Sequence, residues 1–233
     1  MSRTGKPKVA LVTGVAGGIG HATAQLFSDE GWYVVGIDLP VNLELAGVDF
    51  YLAADLANPE QIANAIQKLL QITDRLDALV NNAAIQICKP MLEIDVTEWD
   101  QTMAVNVRSA FLLAQATHPL LKNGQGSIVN VSSVHAIATS TNIAAYATSK
   151  GALLALTRAL AIEFACDQIR VNAVLPGATD TSMLEAGLTR GHLSAGAIHD
   201  LKKALGQKTV LGRVGHPNEV AQAILFLADS QKI

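Results

Sequence analysis

The sequence has few aromatic residues and little net charge, and each shortage excludes a class of protein. Aromatic residues make up 4% of the 233 residues, although 50% are hydrophobic. The apolar content is therefore mainly Ala, Val, Leu and Ile, a mixture typical of a sheet covered by helices on both faces. The formal net charge of −3 offers no basic surface, so we expect no nucleic-acid partner.

Cysteine is scarce as well, and the two cysteines give no sign of a metal site or a disulfide. Cys88 and Cys166 lie far apart without ligand-like spacing, and the histidines are scattered. Free thiols are typical of a reducing compartment, so we expect a cytoplasmic protein without a bound metal. No apolar run is long enough to span a membrane. The first residues, MSRTGKPK, lead directly into a predicted strand, so we expect no signal peptide.

Apolar runs rich in β-branched residues alternate with helical patterns along the chain. Strands are predicted at 8–14, 32–38, 49–53, 76–84, 127–132 and 169–174. Helices are predicted at 21–30, from Pro59 with Asn58 as its N-cap, at 97–121, at 146–165 and from Pro217. The alternation predicts one α/β domain over residues 1–233, a doubly wound Rossmann-type parallel sheet with helices on both faces.

A glycine-rich turn separates the first strand from the first helix. Its pattern is Thr13-Gly14-x-x-x-Gly18-x-Gly20, which differs from the more familiar Gly-x-Gly-x-x-Gly. Backbone N–H groups at a helix N-terminus attract phosphate, and glycines let the backbone come close to it. Asp38 ends the second strand at the expected distance of about 20 residues. The combination predicts a dinucleotide-binding site.

Asp38 also indicates which dinucleotide binds. A carboxylate there can accept hydrogen bonds from both ribose hydroxyls, but it would repel a 2′-phosphate by up to about 4 kcal/mol per charge pair before screening. Val15, which follows the first glycine of the turn, brings no cation to relieve that repulsion. The sequence therefore favours NAD over NADP.

Tyr146 and Lys150 are four residues apart at the start of the fourth predicted helix, so they share one face of it. A free tyrosine has a pKa near 10, and lowering it to about 7 takes roughly 4 kcal/mol. A neighbouring ammonium and a second cation, such as an oxidised nicotinamide ring, could supply that. Ser133 lies thirteen residues before the tyrosine, at the end of a strand. Alone, the Tyr-x-x-x-Lys spacing also fits the first turn of any amphipathic helix.

The order of several short motifs resembles that of the short-chain dehydrogenases/reductases across nearly the whole chain. The motifs are TGVAGGIG, Asp55-Leu56, NNAA, the asparagine of MAVNV, SS before YATSK, and VNAVLPGATDT. Two departures are visible. NNAA replaces the more usual NNAG, and the sequence ends at Ile233, before the last edge strand that family members generally have. We therefore expect a sheet without that strand.

The resemblance implies roles for the residues that match the motifs. Tyr146 would be the general acid–base, Lys150 would lower its pKa and bind the nicotinamide ribose, Ser133 would hold the substrate oxygen, and Asn106 would maintain a proton relay through water. The resemblance also implies a set of cofactor-binding residues: Thr13, Gly14, Gly18, Ile19, Gly20, Asp38, Asp55, Leu56, Asn82, Ala83, Tyr146, Lys150, Pro176, Gly177, Thr179 and Thr181.

Substrate choice is expected to depend on a long segment and two pocket residues. Residues 182–214 match the position of a mobile substrate lid in this family, and Gln86 and His135 are candidate pocket walls beside Ser133 and Tyr146. His135 could equally be a loop residue bonded to backbone. The pair resembles that of 3-hydroxybutyrate dehydrogenases, but Ile143 stands where those enzymes have a carboxylate-binding lysine. The substrate stays open among small hydroxy acids, polyols or sugars, and 3-oxoacyl thioesters.

These features together predict an NAD(H)-dependent oxidoreductase that interconverts a secondary alcohol and a ketone. The alternatives are a 3-oxoacyl-(acyl-carrier-protein) reductase, a non-catalytic NAD-binding regulatory protein, and an epimerase or dehydratase of the extended relatives. Helices 97–121 and 146–165 are apolar on more than one face, which predicts a homodimer or homotetramer formed through them.

Overall fold

The computed structural model describes residues 6–41, 44–189 and 198–229. The described part contains a six-stranded parallel sheet with the order β3-β2-β1-β4-β5-β6. The strands are β1 Val9–Thr13, β2 Tyr33–Asp38, β3 Phe50–Ala53, β4 Ala78–Asn81, β5 Ser127–Val131 and β6 Arg170–Val174. The predicted fold class is confirmed, and each predicted strand is present with its ends trimmed by a few residues.

The helices that follow the strands cover both faces of the sheet. They are α1 Gly18–Asp29, α2 Pro59–Ile72, α3 Val96–Met103, α4 Ser109–Gly124, α5 Ala144–Glu163, α6 Ser182–Thr189, α7 Ile198–Gly206 and α8 Pro217–Ala228. The predicted N-cap of α2 is confirmed, because the Asn58 side chain accepts hydrogen bonds from the backbone N–H groups of Glu60 and Gln61. One core cluster centres on Leu11 and Leu79, and a second centres on Val12 and Val80. Side chains of adjacent strand residues thus enter opposite layers.

The strand order reverses between β1 and β4, which are neighbours in the sheet but not in the sequence. In open parallel sheets such a reversal leaves a crevice at the carboxyl ends of the strands, where ligands bind. The glycine turn follows β1, and the NNAA motif begins at Asn81, the last residue of β4. The fold therefore brings the first two motifs together at this crevice.

The predicted helix at 97–121 is interrupted. Residues Ala104–Arg108 form a π-helical segment between α3 and α4, and Asn106 lies in its middle. A π turn inserts one extra residue per turn, a change that the hydrophobic periodicity of the sequence does not register. The predicted helical range is confirmed, but the sequence did not predict the π turn, which coincides with the predicted catalytic residue Asn106.

The segment predicted as a lid contains α6 and α7, while residues 190–197 of it lie outside the described ranges. The two ends of the segment are joined at its base. The N–H of Asp180 donates to the carbonyl of Gly215 at 2.8 Å, and the N–H of Gly215 donates to that of Ala178 at 2.8 Å. The segment is thus a loop that leaves and re-enters the domain at one point.

The C-terminal end of α8 is hydrogen-bonded to strands β5 and β6. Arg170 of β6 donates to the carbonyl of Leu227 at 2.6 Å and to that of Ala228 at 3.0 Å. Ser127 of β5 donates to the Ala228 carbonyl at 3.0 Å, and Lys8 pairs with Asp229 at 2.6 Å. Within the described residues β6 is one edge strand of the sheet.

No helix in the described part of the chain is long and apolar enough to cross a membrane.

Candidate active site and dinucleotide-binding cleft

The glycine turn after β1 is packed so closely that side chains cannot be added at two positions. A Cβ on Gly20 would lie 1.9 Å from the carbonyl oxygen of Gly14, and one on Gly14 would lie 2.7 Å from Nδ2 of Asn82. Gly14 also has a φ of +73°, which side chains rarely adopt. Gly14 and Gly20, both predicted to bind the cofactor, are therefore required by the packing of the turn itself.

Helix α1 begins at Gly18, three residues earlier than the sequence predicts, and Gly17 provides no side-chain cap. Uncapped N–H groups at a helix start need partners and carry partial positive charge. The start of α1 therefore fits a phosphate. A Cβ on Gly18 would lie 2.9 Å from Cγ2 of Thr181. The turn thus faces the segment after β6, which contains the predicted cofactor-binding residues Pro176, Gly177, Thr179 and Thr181.

Thr13 and Asn82, both predicted cofactor residues, join the ends of β1 and β4. The hydroxyl oxygen of Thr13 accepts from the N–H of Asn82 at 2.9 Å and from that of Ala83 at 3.0 Å. In return, Nδ2 of Asn82 donates to the carbonyl of Thr13 at 2.9 Å and to that of Gly14 at 3.3 Å. These bonds hold the floor of the cleft, a structural role that the motif alone does not reveal.

Asp38 stands at the carboxyl end of β2 and points its carboxylate at the glycine turn. One oxygen accepts from the N–H of Ala16 at 2.8 Å and the other from the N–H of Leu39 at 2.8 Å. The carboxylate also raises the pKa of Tyr51, although burial of the phenol contributes more. Asp38 is half-buried, so it stands at the rim of the cleft, where a ribose beside the phosphates would lie.

Three further predicted cofactor-binding residues, Asp55, Leu56 and Ile19, have local structural roles. Oδ1 of Asp55 accepts from the N–H of Ala57 at 2.8 Å, which shapes the loop after β3. Leu56 is buried in the cluster around Leu11, and Ile19 packs partly against the second cluster. The structure gives the side chain of Leu56 a core position.

Segment 176–181 after β6 is arranged by its own hydrogen bonds. The carbonyl of Pro176 accepts from the N–H of Val134 at 3.0 Å, which ties this segment to the loop that carries Ser133. The hydroxyl of Thr179 donates to the carbonyl of Gly177, and that of Thr181 donates to the carbonyl of Thr179, each at 3.3 Å. Space is open where a Cβ on Gly177 would stand.

Ser133 and Tyr146 are brought together by β5 and α5, as predicted. Both side chains are buried, and Ser133 stabilises the phenolate and so acts to lower the pKa of Tyr146. Burial of the phenol has the larger effect and raises that pKa, and nearby Cys88 raises it further. The net pKa is above the ordinary value, contrary to the expected lowering, because in the chain alone desolvation exceeds the stabilisation of the phenolate.

Lys150 is nearly fully buried, one turn after Tyr146 on α5. Its Nζ donates to the carbonyl of Val131 at 2.8 Å and lies 5.6 Å from the centroid of the Tyr146 ring. Desolvation lowers its pKa to about 7. The amine is thus positioned by the end of β5 and is held between its neutral and charged forms near neutral pH.

Asn106 connects three parts of the site from the π-helical segment. Its Oδ1 accepts from the N–H of Ile85 at 2.9 Å, and its Nδ2 donates to the Ile85 carbonyl and to Oγ of Ser149, each at 2.9 Å. Ser149 in turn donates to the carbonyl of Tyr146 at 2.7 Å. Asn106 therefore fixes the loop after β4 against α5.

His135 lies beside the catalytic tyrosine. The two ring centroids are 6.2 Å apart in an edge-to-face arrangement. The pKa of His135 is lowered, mainly because burial disfavours the charged ring, while the backbone of Ala138 acts in the opposite direction. Nδ1 of His135 is buried and has no hydrogen-bond partner among the described residues.

Gln86 and Cys88 extend the site from the loop after β4. Oε1 of Gln86 lies 3.7 Å from the position of a Cβ on Gly187 in α6, so this side chain reaches the predicted lid. Cys88 acts on the pKa of Tyr146, a proximity that sequence reasoning missed because no spacing rule links the two residues. No cluster of His, Cys, Asp and Glu suited to a metal ion occurs in the ranges that the structure describes.

Comparison with known proteins identifies the family of the chain. The family model described as enoyl-(acyl carrier protein) reductase matches residues 14–232. Cyclopentanol dehydrogenase of Comamonas sp. is 38% identical, over 96% of this chain and 90% of its own. NAD-dependent glycerol dehydrogenase of Listeria innocua is 32% identical, over 94% of this chain and 86% of its own.

Solved structures of dehydrogenases and reductases are also similar to this chain. Aldohexose dehydrogenase of Thermoplasma acidophilum superposes with a TM-score of 0.90 at 30% identity, covering 97% of this chain and 88% of that one. A 3-ketoacyl-(acyl-carrier-protein) reductase of Brucella melitensis, complexed with NADH, has a TM-score of 0.81 at 30% identity and covers 97% and 92%. The chain belongs to the short-chain dehydrogenase/reductase family. It is an oxidoreductase that interconverts a secondary alcohol and a ketone.

Proposed function

We propose that the chain is an NAD(H)-dependent dehydrogenase in which Tyr146 is the acid–base residue. The observation that carries this proposal is that Ser133, Tyr146 and Lys150 are buried together: Ser133 acts to lower the pKa of Tyr146, and Nζ of Lys150 lies 5.6 Å from the centroid of the tyrosine ring. A non-catalytic NAD-binding protein would have no need of a buried ionisable group beside a tyrosine, since burial of such groups costs free energy. We therefore prefer an enzyme to a non-catalytic NAD-binding protein.

The residues around the cleft fit a nicotinamide dinucleotide. The glycine turn is open at Gly17, where no atom lies within 4 Å of an added Cβ, and the start of α1 has N–H groups without a side-chain cap. When bound, the nicotinamide supplies the hydride acceptor or donor. Segment 176–181 would hold its carboxamide, and Asp38 would accept from the adenosine ribose.

Ser133 would orient the substrate oxygen, and Tyr146 would exchange the proton at that oxygen. During alcohol oxidation Tyr146 accepts the hydroxyl proton, so it must first lose its own. A positive charge on Lys150 favours the phenolate. Since the pKa of Lys150 is about 7, a small added stabilisation of its charged form, such as a hydrogen bond from Nζ to ribose, would make it cationic at neutral pH.

NAD is proposed over NADP because a carboxylate stands at the end of β2. Titration of the protein with NADH and with NADPH, followed by nicotinamide fluorescence, tests this. We expect tighter binding of NADH. Asp38→Ser should reduce the difference, because repulsion of the 2′-phosphate is removed, and Asp29→Ser at the end of α1 is the control. Preference of the unmodified chain for NADPH would refute the assignment.

The second candidate function is reduction of 3-oxoacyl thioesters, favoured by the likeness to the Brucella melitensis enzyme, whose structure holds NADH. The two candidates differ in substrate and not in the catalytic residues. Assay of NADH oxidation with a 3-oxoacyl thioester, beside NAD⁺ reduction with simple secondary alcohols, separates them. Faster thioester reduction would place this function first.

We also propose that the chain forms a homodimer or homotetramer through α4 and α5. Phe111 is 44% exposed and Ile162 is 80% exposed on these helices. Phe111 also lines a surface cavity of about 400 Å³ between the two helices, whose other lining residues are Gln115, His118, Pro119, Leu160, Glu163 and Phe164. Sedimentation at micromolar concentration should show an oligomer that Phe111→Glu dissociates, whereas Phe226→Glu on α8 should leave it intact. A monomeric unmodified chain would contradict the proposal.

A further inference from the structure

The loop after β2 is tied to strand β3 by the side chain of Tyr51. The register of the two strands places Tyr51 opposite Gly36, two residues before Asp38, so Tyr51 and Asp38 lie on the same face of the sheet. The half-buried ring of Tyr51 packs partly against the second core cluster, and its hydroxyl donates to the carbonyl of Leu39. A side chain of β3 thus holds the residue that directly follows Asp38.

The backbone of Leu39 connects Tyr51 to the Asp38 carboxylate. The N–H of Leu39 donates to Oδ1 of Asp38 at 2.8 Å, while its carbonyl accepts from Tyr51. The N–H of Ala16 in the glycine turn donates to Oδ2 of Asp38, also at 2.8 Å. Because the Leu39 side chain is 54% exposed, packing restrains this residue only in part. Tyr51 therefore restrains one of the two backbone donors that orient the carboxylate.

The pKa of Tyr51 is consistent with a phenol that stands close to the carboxylate. Burial of the phenol raises this pKa, the charge of Asp38 raises it further, and the backbone of Val41 acts in the opposite direction. Even a free tyrosine has a pKa near 10, so the hydroxyl is protonated at neutral pH and remains a hydrogen-bond donor. Since it is uncharged, it gives Asp38 no cation that would relieve repulsion of a 2′-phosphate.

The Asp38 carboxylate can still accept hydrogen bonds from a ribose. An ionised carboxylate has about four lone-pair sites, and the N–H groups of Ala16 and Leu39 use one on each oxygen. A second site on each oxygen suits the two adjacent hydroxyls of an adenosine ribose. A carboxylate that is already held in place loses less conformational freedom when these hydroxyls bind, which increases the affinity.

From these contacts we propose that Tyr51 is a positioning residue for the dinucleotide. By holding the backbone of Leu39, it fixes the Asp38 carboxylate for the adenosine ribose and adds to the discrimination between NADH and NADPH. This inference rests on the proposed function, since it takes Asp38 as the ribose acceptor. Without the hydroxyl of Tyr51 the carboxylate is less restrained, so ribose hydroxyls bind more weakly and a 2′-phosphate can displace it. A general loss of structure would instead weaken both cofactors alike.

Tyr51→Phe tests the proposal, with Tyr33→Phe as the matched control. Tyr33 begins β2 at the opposite end from Asp38 and packs partly against the first core cluster, so the control deletes a hydroxyl far from the carboxylate. In Tyr51→Phe we expect Kd for NADH and for ADP-ribose to rise by about 3- to 10-fold, the range of one neutral hydrogen bond. Kd for NADPH should stay the same or fall. Tyr33→Phe should change none of these values.

Two further measurements separate positioning from a loss of structure. Reduced nicotinamide mononucleotide, which lacks the adenosine half, should bind equally well to Tyr51→Phe and to the unmodified chain. The unfolding temperature of Tyr51→Phe should fall by no more than about 4 °C, the shift expected for about 1 kcal/mol in a chain of this size. Equal weakening of NADH and NADPH, or of the mononucleotide, would overturn the proposal.

A double-mutant cycle shows whether Tyr51 acts through Asp38. Added to Asp38→Ser, Tyr51→Phe should change Kd for NADH by less than about twofold. If it costs as much there as in the unmodified chain, or nothing in either, the proposal is overturned while the proposed function stands.

The failure of the proposed function gives a different result. If the unmodified chain prefers NADPH, and Tyr51→Phe strengthens that preference only while Asp38 is present, the positioning role stands and the assignment of NAD fails. If NADH, NADPH and ADP-ribose all fail to bind, both are overturned.

Discussion

Nζ of Lys150 donates to the carbonyl oxygen of Val131 at 2.8 Å inside the protein, and this bond positions the lysine at the end of β5. The same burial lowers the pKa of Lys150 from its usual 10.5 to about 7. One group therefore connects the stability of the fold with the chemistry of the site.

We predict that Lys150 makes the free energy of unfolding rise with pH between about 7 and 10.5. In this window the unfolded chain binds the proton and the folded chain does not, so raising the pH favours the folded state. The slope is at most about 1.4 kcal/mol per pH unit. Below pH 7 both states are protonated, and the full cost of burying the cation is present.

Lys150→Met tests this through urea denaturation at pH 6, 7, 8 and 9. The variant should be more stable than the unmodified chain at pH 6, and the difference should shrink as the pH rises. Its dehydrogenase activity should be lost. Lys203→Met, at an exposed position on α7, should leave the pH dependence unchanged. Equal slopes for Lys150→Met and the unmodified chain would show that the lysine does not titrate in this window.

The glycine turn gives a second prediction. Gly20→Ala should destabilise the fold by several kcal/mol and abolish NADH binding, because its Cβ would overlap the backbone of Gly14, 1.9 Å away. Thermal unfolding and NADH fluorescence measure the two effects. Gly17→Ala is the matched control, since no atom lies within 4 Å of its added Cβ, and its unfolding temperature should barely change. A stable Gly20→Ala would contradict the turn geometry.

The predicted lid gives a third prediction. Lys202 holds α7 to α6 and to the loop after β6 through Glu185 and Asp180. In Lys202→Met the two carboxylates lose their shared cation, so we expect KM for substrate to rise several-fold with less change in NADH affinity. The effect should weaken at high salt, because the lost pairs are partly exposed. Lys203→Met serves as the control, and an unchanged KM would argue against a role for the ion pairs in substrate binding.

The fold was predictable because the strands of a buried parallel sheet are visible in the sequence as short apolar runs. The start of α2 was predictable too, because Asn58 before Pro59 is a typical N-cap, whose side chain accepts hydrogen bonds from N–H groups two or three residues later. The π turn around Asn106 has no comparable signal in the sequence, because it inserts one residue into the helix without changing the amino-acid composition. Its position follows from packing against Ile85 and Ser149, which are distant in sequence.

The candidate site was predictable in its membership and less so in its electrostatics. The resemblance supplied Ser133, Tyr146 and Lys150, but it could not show that burial raises the pKa of the tyrosine in the chain alone. The unpaired nitrogen of His135 and the proximity of Cys88 depend on how the loops after β4 and β5 fold against α5. Such distances arise from tertiary structure, and no spacing in the sequence encodes them.

The measurement that tests the central claim most directly is a paired assay of Tyr146→Phe, in which NAD⁺ reduction by a secondary alcohol is followed beside NADH binding. Removing the hydroxyl eliminates the proposed proton acceptor while keeping the ring against His135. We predict that turnover falls by at least about 100-fold, the usual contribution of general acid–base catalysis, with NADH affinity within about twofold of the unmodified chain. Turnover near that of the unmodified chain, with NADH still bound, would contradict the assignment of Tyr146 as the acid–base residue.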